Sequence, residues 1–165
     1  MTSAMTGQNT CPVASVRLAH TADAPAVASL IGEFRDWWGF EAPSDESLAR
    51  SVALLIGHDS TDFLLAESSG GPAGVCQLRY RFGLWLEAED CLLEDLFVRE
   101  RARGAGLGRA LVEAALDRAR ERGCRRIELD VNEANPAARA LYESLGFSAW
   151  ADPPGGNALF MRRRL

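Results

Sequence analysis

Lysine is missing from this chain altogether. All 18 basic residues are arginine, set against 23 acids, for a formal net charge of −5. An acidic balance argues against a nucleic-acid partner, which selects for a basic face. Without lysine there can be no Walker A loop, whose glycines end on Gly-Lys. Histidine is scarce, with only His20 and His58, and the four cysteines (Cys11, Cys76, Cys91 and Cys124) stand far apart with no C-x-x-C pair. That spacing excludes a clustered metal site, and a chain so rich in apolar residues has no need of a disulfide framework. Reduced thiols in a cytoplasm are expected, and no metal. No apolar run approaches the roughly 20 residues of a membrane span. The opening "MTSAMTGQNTCPVAS" has neither a basic start nor a continuous apolar stretch, so it is not read as a signal peptide. Residues 1–14 are expected to form a disordered tail and residues 15–165 one domain.

What is present is a chain of 165 residues, 47% of them hydrophobic, enough for one domain with a proper core. A short strand is expected around Val16 to Leu18. Val27, Leu30, Ile31, Phe34 and Trp38 then recur at helical spacing behind Asp23 and Pro25. A second helix should end at Gly57. "TDFLLAES", "SGGP" and "AGVCQLRYRF" read as strand, turn and returning strand. "DCLLEDLFVRE" is a further strand. Leu107, Leu111, Ala114, Ala115, Leu116 and Ala119 form the apolar face of a helix that stops at Gly123. "RRIELDV" is a strand. "NPAARALYESLG" is a short helix with Asn135 as its cap, Pro136 at its first position and Gly146 just past its end. A final hairpin closes the chain.

The most informative stretch is "RARGAGLGRA", residues 101–110. Three glycines stand just before a strong helix, flanked by arginines, although glycine loses the most backbone freedom on folding. A dinucleotide fingerprint starting at Gly104 fails, because its third glycine position holds Arg109. What remains is a helix N-terminus with unpaired N–H groups and partial positive charge, approached by glycines that keep side chains out of the way. Arg103 and Arg109 add full charge. This is a pyrophosphate cradle.

"LFVRERARGAGLGRALVEAAL" followed by "NPAARALYESLGF" resembles the GCN5-related N-acetyltransferase (GNAT) superfamily. Arg103, Gly106 and Gly108 meet its Gln/Arg-x-x-Gly-x-Gly/Ala signature. Asn135, Ala138, Leu141, Tyr142, Gly146 and Phe147 meet its downstream frame. The resemblance implies an α/β (α+β) domain whose mixed, mostly antiparallel sheet is flanked by helices and splays between its fourth and fifth strands. It implies acetyl-coenzyme A as co-substrate. The pyrophosphate would lie on Arg103, Gly104, Ala105, Gly106, Leu107, Gly108 and Arg109. Leu96, Phe97 and Val98 would offer backbone to the pantetheine arm and thioester, and Asn135 would contact the coenzyme besides capping its helix.

Acyl transfer to an amine needs a neutral amine, a donor to the oxyanion and a proton for the departing thiolate. By resemblance Tyr142 supplies that last proton, and a backbone N–H near Phe97 or Val98 faces the oxyanion. Glu94 is the candidate base. "LEDLFV" resembles the catalytic strand of the spermidine/spermine and thialysine branch, whose acids match Glu94 and Asp95. Plain alternation puts Glu94, Leu96 and Val98 on one side and Asp95 and Phe97 on the other, and a bulge would alter that phase. Asp95 and Trp38 are the candidate acceptor contacts, with Trp37 and Phe40 as wall or core. Glu87, Glu89 and Asp90 either draw in a cationic acceptor or belong to a solvated turn. The stretch between the third and fourth strands departs from the polyamine branch.

The expected activity is transfer of acetyl to a primary amine of a small cationic acceptor (an amine, polyamine or amino acid) by direct attack. The alternatives are a protein N-terminal acetyltransferase of the ribosomal-alanine type and a non-catalytic coenzyme A-binding regulatory module. The expected partners are a small-molecule amine and a second copy of the chain in a homodimer, with neither nucleic acid nor membrane.

Overall fold

The structure, a computed structural model, describes residues 15–149 and Arg163. Strand β1 (Ser15–Leu18) leads into helices α1 (Ala24–Trp37) and α2 (Asp45–Leu55). Strands β2 (Thr61–Ser68), β3 (Gly71–Gly83) and β4 (Ala88–Val98) follow as a meander, then α3 (Leu107–Glu121), β5 (Arg126–Glu128) and α4 (Pro136–Ser144). The sheet order is β1-β2-β3-β4-β5, antiparallel except for the parallel β4–β5 pair. This is the α/β architecture the resemblance implies. β5 covers only Arg126–Glu128 of the expected "RRIELDV". The expected N-terminal tail and closing hairpin lie outside the described residues. Among the described residues no helix is long and apolar enough to cross a membrane.

Alternation divides the sheet into two faces. Phe63, Leu65, Val75 and Phe97 pack with Val27 and Leu30 of α1 and Val52 of α2 in one buried cluster. The opposite face receives α3. At Gly74 an added Cβ would stand 3.1 Å from Leu111 Cδ1 and 3.1 Å from the Phe97 carbonyl oxygen, so the helix rests directly on the strand backbone. Arg118 of α3 also donates to Asp62 at 2.7 Å, and the same carboxylate accepts from the Tyr80 hydroxyl at 2.9 Å.

β4 pairs with β3 along its length, but with β5 only over Asp90, Cys91 and Leu92. From Leu93 onward one edge of β4 has no strand beside it among the described residues. This is the splay. Arg99, just past β4, donates its N–H to the Ala73 carbonyl at 2.9 Å. By antiparallel alternation Phe97 therefore exchanges hydrogen bonds with Val75, while Leu96 and Val98 turn their N–H and C=O groups to the open edge.

The chain divides into two compact units, residues 1–130 and 131–165. In the second, Asn135 Oδ1 accepts from the Ala138 N–H at 3.1 Å and caps α4 as the sequence leads one to expect. The Tyr142 ring lies edge-to-face on Phe147, with centroids 5.8 Å apart.

Candidate active site

The glycine loop forms as its composition requires. Gly104 and Gly106 hold φ of +80° and +81°, a region costly for any residue with a Cβ. Nothing lies within 4 Å of a Cβ built at either, so the space over the loop is open. Gly106 is the N-cap of α3, and no side chain caps the helix there. Ala110 N–H makes the first helical bond, to the Gly106 carbonyl at 3.0 Å. The N–H groups of residues 104–108 have no acceptor among the described residues. A 15-residue helix thus points its positive end and a row of donors out of the glycine loop, a fit for the pyrophosphate of a coenzyme.

Arg103 sits differently from the rest of the loop. Its Nε donates to the Val98 carbonyl at 3.0 Å, on the open edge of β4. Its guanidinium carbon lies 5.2 Å from the centroid of Trp37 and 5.9 Å from that of Phe97. The cradle and the end of α1 therefore meet at this one side chain. Trp37, Trp38 and Phe40 are exposed and form a continuous aromatic cluster with Phe34 and Phe97. They are not core. The C-terminal end of β4 is tied to α1 by a paired contact, Arg99 Nη2 to Glu33 Oε1 at 2.6 Å and Nε to Oε2 at 2.9 Å. Arg99 holds the Glu33 carboxyl below its ordinary range.

The acids of β4 do not follow plain alternation. Asp95 stands opposite Gln77 and Leu93 opposite Leu78, so Glu94 is an extra residue, a β-bulge. The bulge rotates Glu94 out of phase with Leu96, which stands opposite Cys76 on the α3 face. Glu94 reaches instead to Gln77 Nε2 at 3.3 Å and Arg79 Nη1 at 3.4 Å. Asp95 shares the Phe97 face, half-buried, and has no hydrogen-bond or ion-pair partner among the described residues. Burial first, then the charges of Glu94 and Asp130, push its carboxyl up to about 6.

Two acids at the start of β4 are already matched by arginines. Asp90 is 2% exposed and binds Arg126 at 3.0 and 2.6 Å, and Glu89 binds Arg122 at 3.0 Å through both oxygens. They belong to the architecture around β5, not to an acidic approach for a cation. Glu87 stays exposed on the hairpin turn at φ 51°. Cys76 is fully buried and Cys91 nearly so, both free, and burial pushes both thiols up, so neither offers a thiolate for an acyl-enzyme.

Unit 1 thus brings together the loop of residues 103–109, the open edge at Leu96 and Val98, the acids Glu94 and Asp95, and the Trp38 cluster. It turns the Phe97 backbone toward β3, away from that edge. Asn135 and Tyr142 belong to the second unit, where Tyr142 is 8% exposed. Sequence reasoning passed over Gln77 and Arg79, which hold Glu94, and Asp130, which bears on Asp95. A glutamine inside the otherwise apolar run "AGVCQL" was the available signal.

The Acetyltransferase (GNAT) family model matches residues 27–147. The chain is 34% identical to the uncharacterised N-acetyltransferase YhfO of Bacillus subtilis (strain 168), over 81% of this chain and 89% of that protein. It is 29% identical to the thialysine N-ε-acetyltransferase of Bos taurus, over 79% and 82% of the two chains. A crystal structure assigned as an acetyltransferase from Arthrobacter sp. FB24 superposes with a TM-score of 0.82 at 31% identity, covering 95% of this chain and 99% of that one. On the family match, the relatives and the superposed structure, the chain belongs to the GNAT family of acetyltransferases.

Proposed function

We propose that the protein transfers acetyl from acetyl-coenzyme A to the primary amine of a small cationic acceptor, by direct attack. The observation that carries this reading is the acidic pair Glu94–Asp95 at the start of the open edge of β4, with the Asp95 carboxyl lacking a partner among the described residues. A cationic amine is drawn to such a pair, and the exposed aromatic faces of Trp37 and Trp38 favour a cation further. The bovine relative acts on the ε-nitrogen of thialysine, an amine, which supports the same acceptor chemistry. Buried, free thiols at Cys76 and Cys91 fit a reducing cytoplasm.

Residues 103–109 hold the pyrophosphate. Leu96 and Val98 hydrogen-bond the pantetheine arm as an added strand would, and the Val98 N–H is aimed toward the oxyanion. Asn135 contributes a further coenzyme contact. The acceptor ammonium gives one proton to the acidic pair, for which the sequence nominates Glu94. The neutral nitrogen attacks the thioester carbonyl, forming the C–N bond. The C–S bond then breaks, Tyr142 protonates the departing thiolate, and the second nitrogen proton returns to the phenolate through solvent. Burial keeps the Cys76 and Cys91 thiols from acting as acyl carriers, which favours direct attack.

A panel of primary amines, polyamines and amino acids, read by release of the coenzyme A thiol, tests this. Turnover with cationic amines is the expected result. If the best acceptor is neutral or anionic, the electrostatic reading of the acceptor side falls.

A further inference from the structure

The two acids of the catalytic strand have unequal surroundings. Glu94, the bulge residue, lies at the surface, with Gln77 Nε2 on one oxygen and Arg79 Nη1 within 3.5 Å of both. Both Glu94 oxygens are thus already engaged by side-chain donors. Asp95 stands next to it, directly opposite Gln77, half-buried and without a hydrogen bond or salt bridge among the described residues. The charged groups that bear on it are Glu94 from its own strand and Asp130 from the segment after β5, and no cation is among them. A half-buried carboxylate beside other acids gains by taking up a proton. An arriving ammonium relieves both the repulsion and the missing hydrogen bond.

We propose that Asp95, not Glu94, takes the proton from the acceptor amine, and that Glu94, held by Gln77 and Arg79, stands beside it as a fixed negative charge. This deepens the transferase reading above and rests on it for the identity of the proton donor. The acceptor's N–H bond breaks, its electron pair stays on nitrogen for the attack, and the proton rests on Asp95 until it passes to water. The bulge is the device that separates the roles. Without the extra residue both side chains could not reach the face that carries Gln77. The position of Asp95 near neutrality agrees with this role, since a base works best with a pKa close to the working pH.

Profiles of kcat/KM against pH, with saturating acetyl-coenzyme A and the best amine of the panel, separate the two acids. Asp95→Asn should lower the neutral-pH plateau by about 10²-fold or more and remove the acid limb. Glu94→Gln should move the acid limb to lower pH and lower the plateau far less than Asp95→Asn does. The reverse ranking overturns the assignment. A second measurement does not depend on turnover: carboxyl ¹³C NMR titration of Asp95 in the wild type and in Glu94→Gln. Its midpoint should fall on removal of the Glu94 charge, and an unmoved midpoint overturns the coupling. A protein inactive on every amine would defeat the transferase reading while leaving this coupling measurable.

Discussion

The Arg103 guanidinium stacks over Trp37, 5.2 Å from the ring centroid, while its Nε rests on the Val98 carbonyl at 3.0 Å. One side chain thus touches the coenzyme loop, the open strand and the aromatic end of α1. An exposed contact of this kind contributes only about 0.5–1 kcal/mol, so a dianionic pyrophosphate can displace it. Titration with acetyl-coenzyme A should therefore change the tryptophan emission in a saturable way. Trp37→Phe should remove most of that change. A signal equal in the variant and the wild type would show that the contact does not respond to the coenzyme.

Gly106 holds φ +81° at the head of α3, with no neighbour within 4 Å of a Cβ. Gly106→Val places a branched side chain in the open cradle and strains the backbone by about 1–2 kcal/mol. Affinity for acetyl-coenzyme A should fall by about tenfold or more, a loss of at least about 1.4 kcal/mol, in a variant that still melts cooperatively. Calorimetric titration beside a thermal melt measures both. Unchanged affinity in the folded variant would remove the loop from the binding site.

Tyr142 is buried on α4 against Phe147, so packing explains part of its presence. Tyr142→Phe keeps the ring and deletes the proton. If the hydroxyl serves the departing thiolate, kcat should drop by about 10²-fold or more, with the coenzyme dissociation constant nearly unchanged. Turnover within about twofold of wild type would leave Tyr142 with packing alone.

Asp95 gives a stability prediction independent of catalysis. Its folded carboxyl is raised to about 6 by burial and by Glu94 and Asp130. The unfolded value is about 3.9. A raised acid is favoured in the folded state when protonated, so its relative contribution is complete below about pH 4 and is lost as pH rises through about 6. Asp95→Asn removes that loss. Allowing for its partial exposure, the variant should be more stable than wild type by about 1–2 kcal/mol at pH 7.5, with no gain at pH 3.5. Urea midpoints at the two pH values decide it, and equal stability at pH 7.5 would mean that the Asp95 carboxyl titrates normally.

Much of the molecule was legible residue by residue. Helical spacing, the Asn135 cap, Pro136 and the positive-φ glycines Gly57, Gly123 and Gly146 mark element ends, because each acts within one turn of chain. The cradle was legible for the same reason: glycines and a helix start are local in sequence. What the letters alone could not supply depends on two strands or distant side chains meeting. The bulge at Glu94 exists only as a mismatch between β4 and β3, so no periodicity within β4 reveals it. The splay depends on where β5 stops, and the neutralised acids Glu89 and Asp90 depend on arginines more than thirty residues away. The unequal fates of two adjacent carboxylates, Glu94 held at the surface and Asp95 half-buried without a partner among the described residues, were decided by tertiary packing, because burial and charge proximity are properties of space rather than of order along the chain.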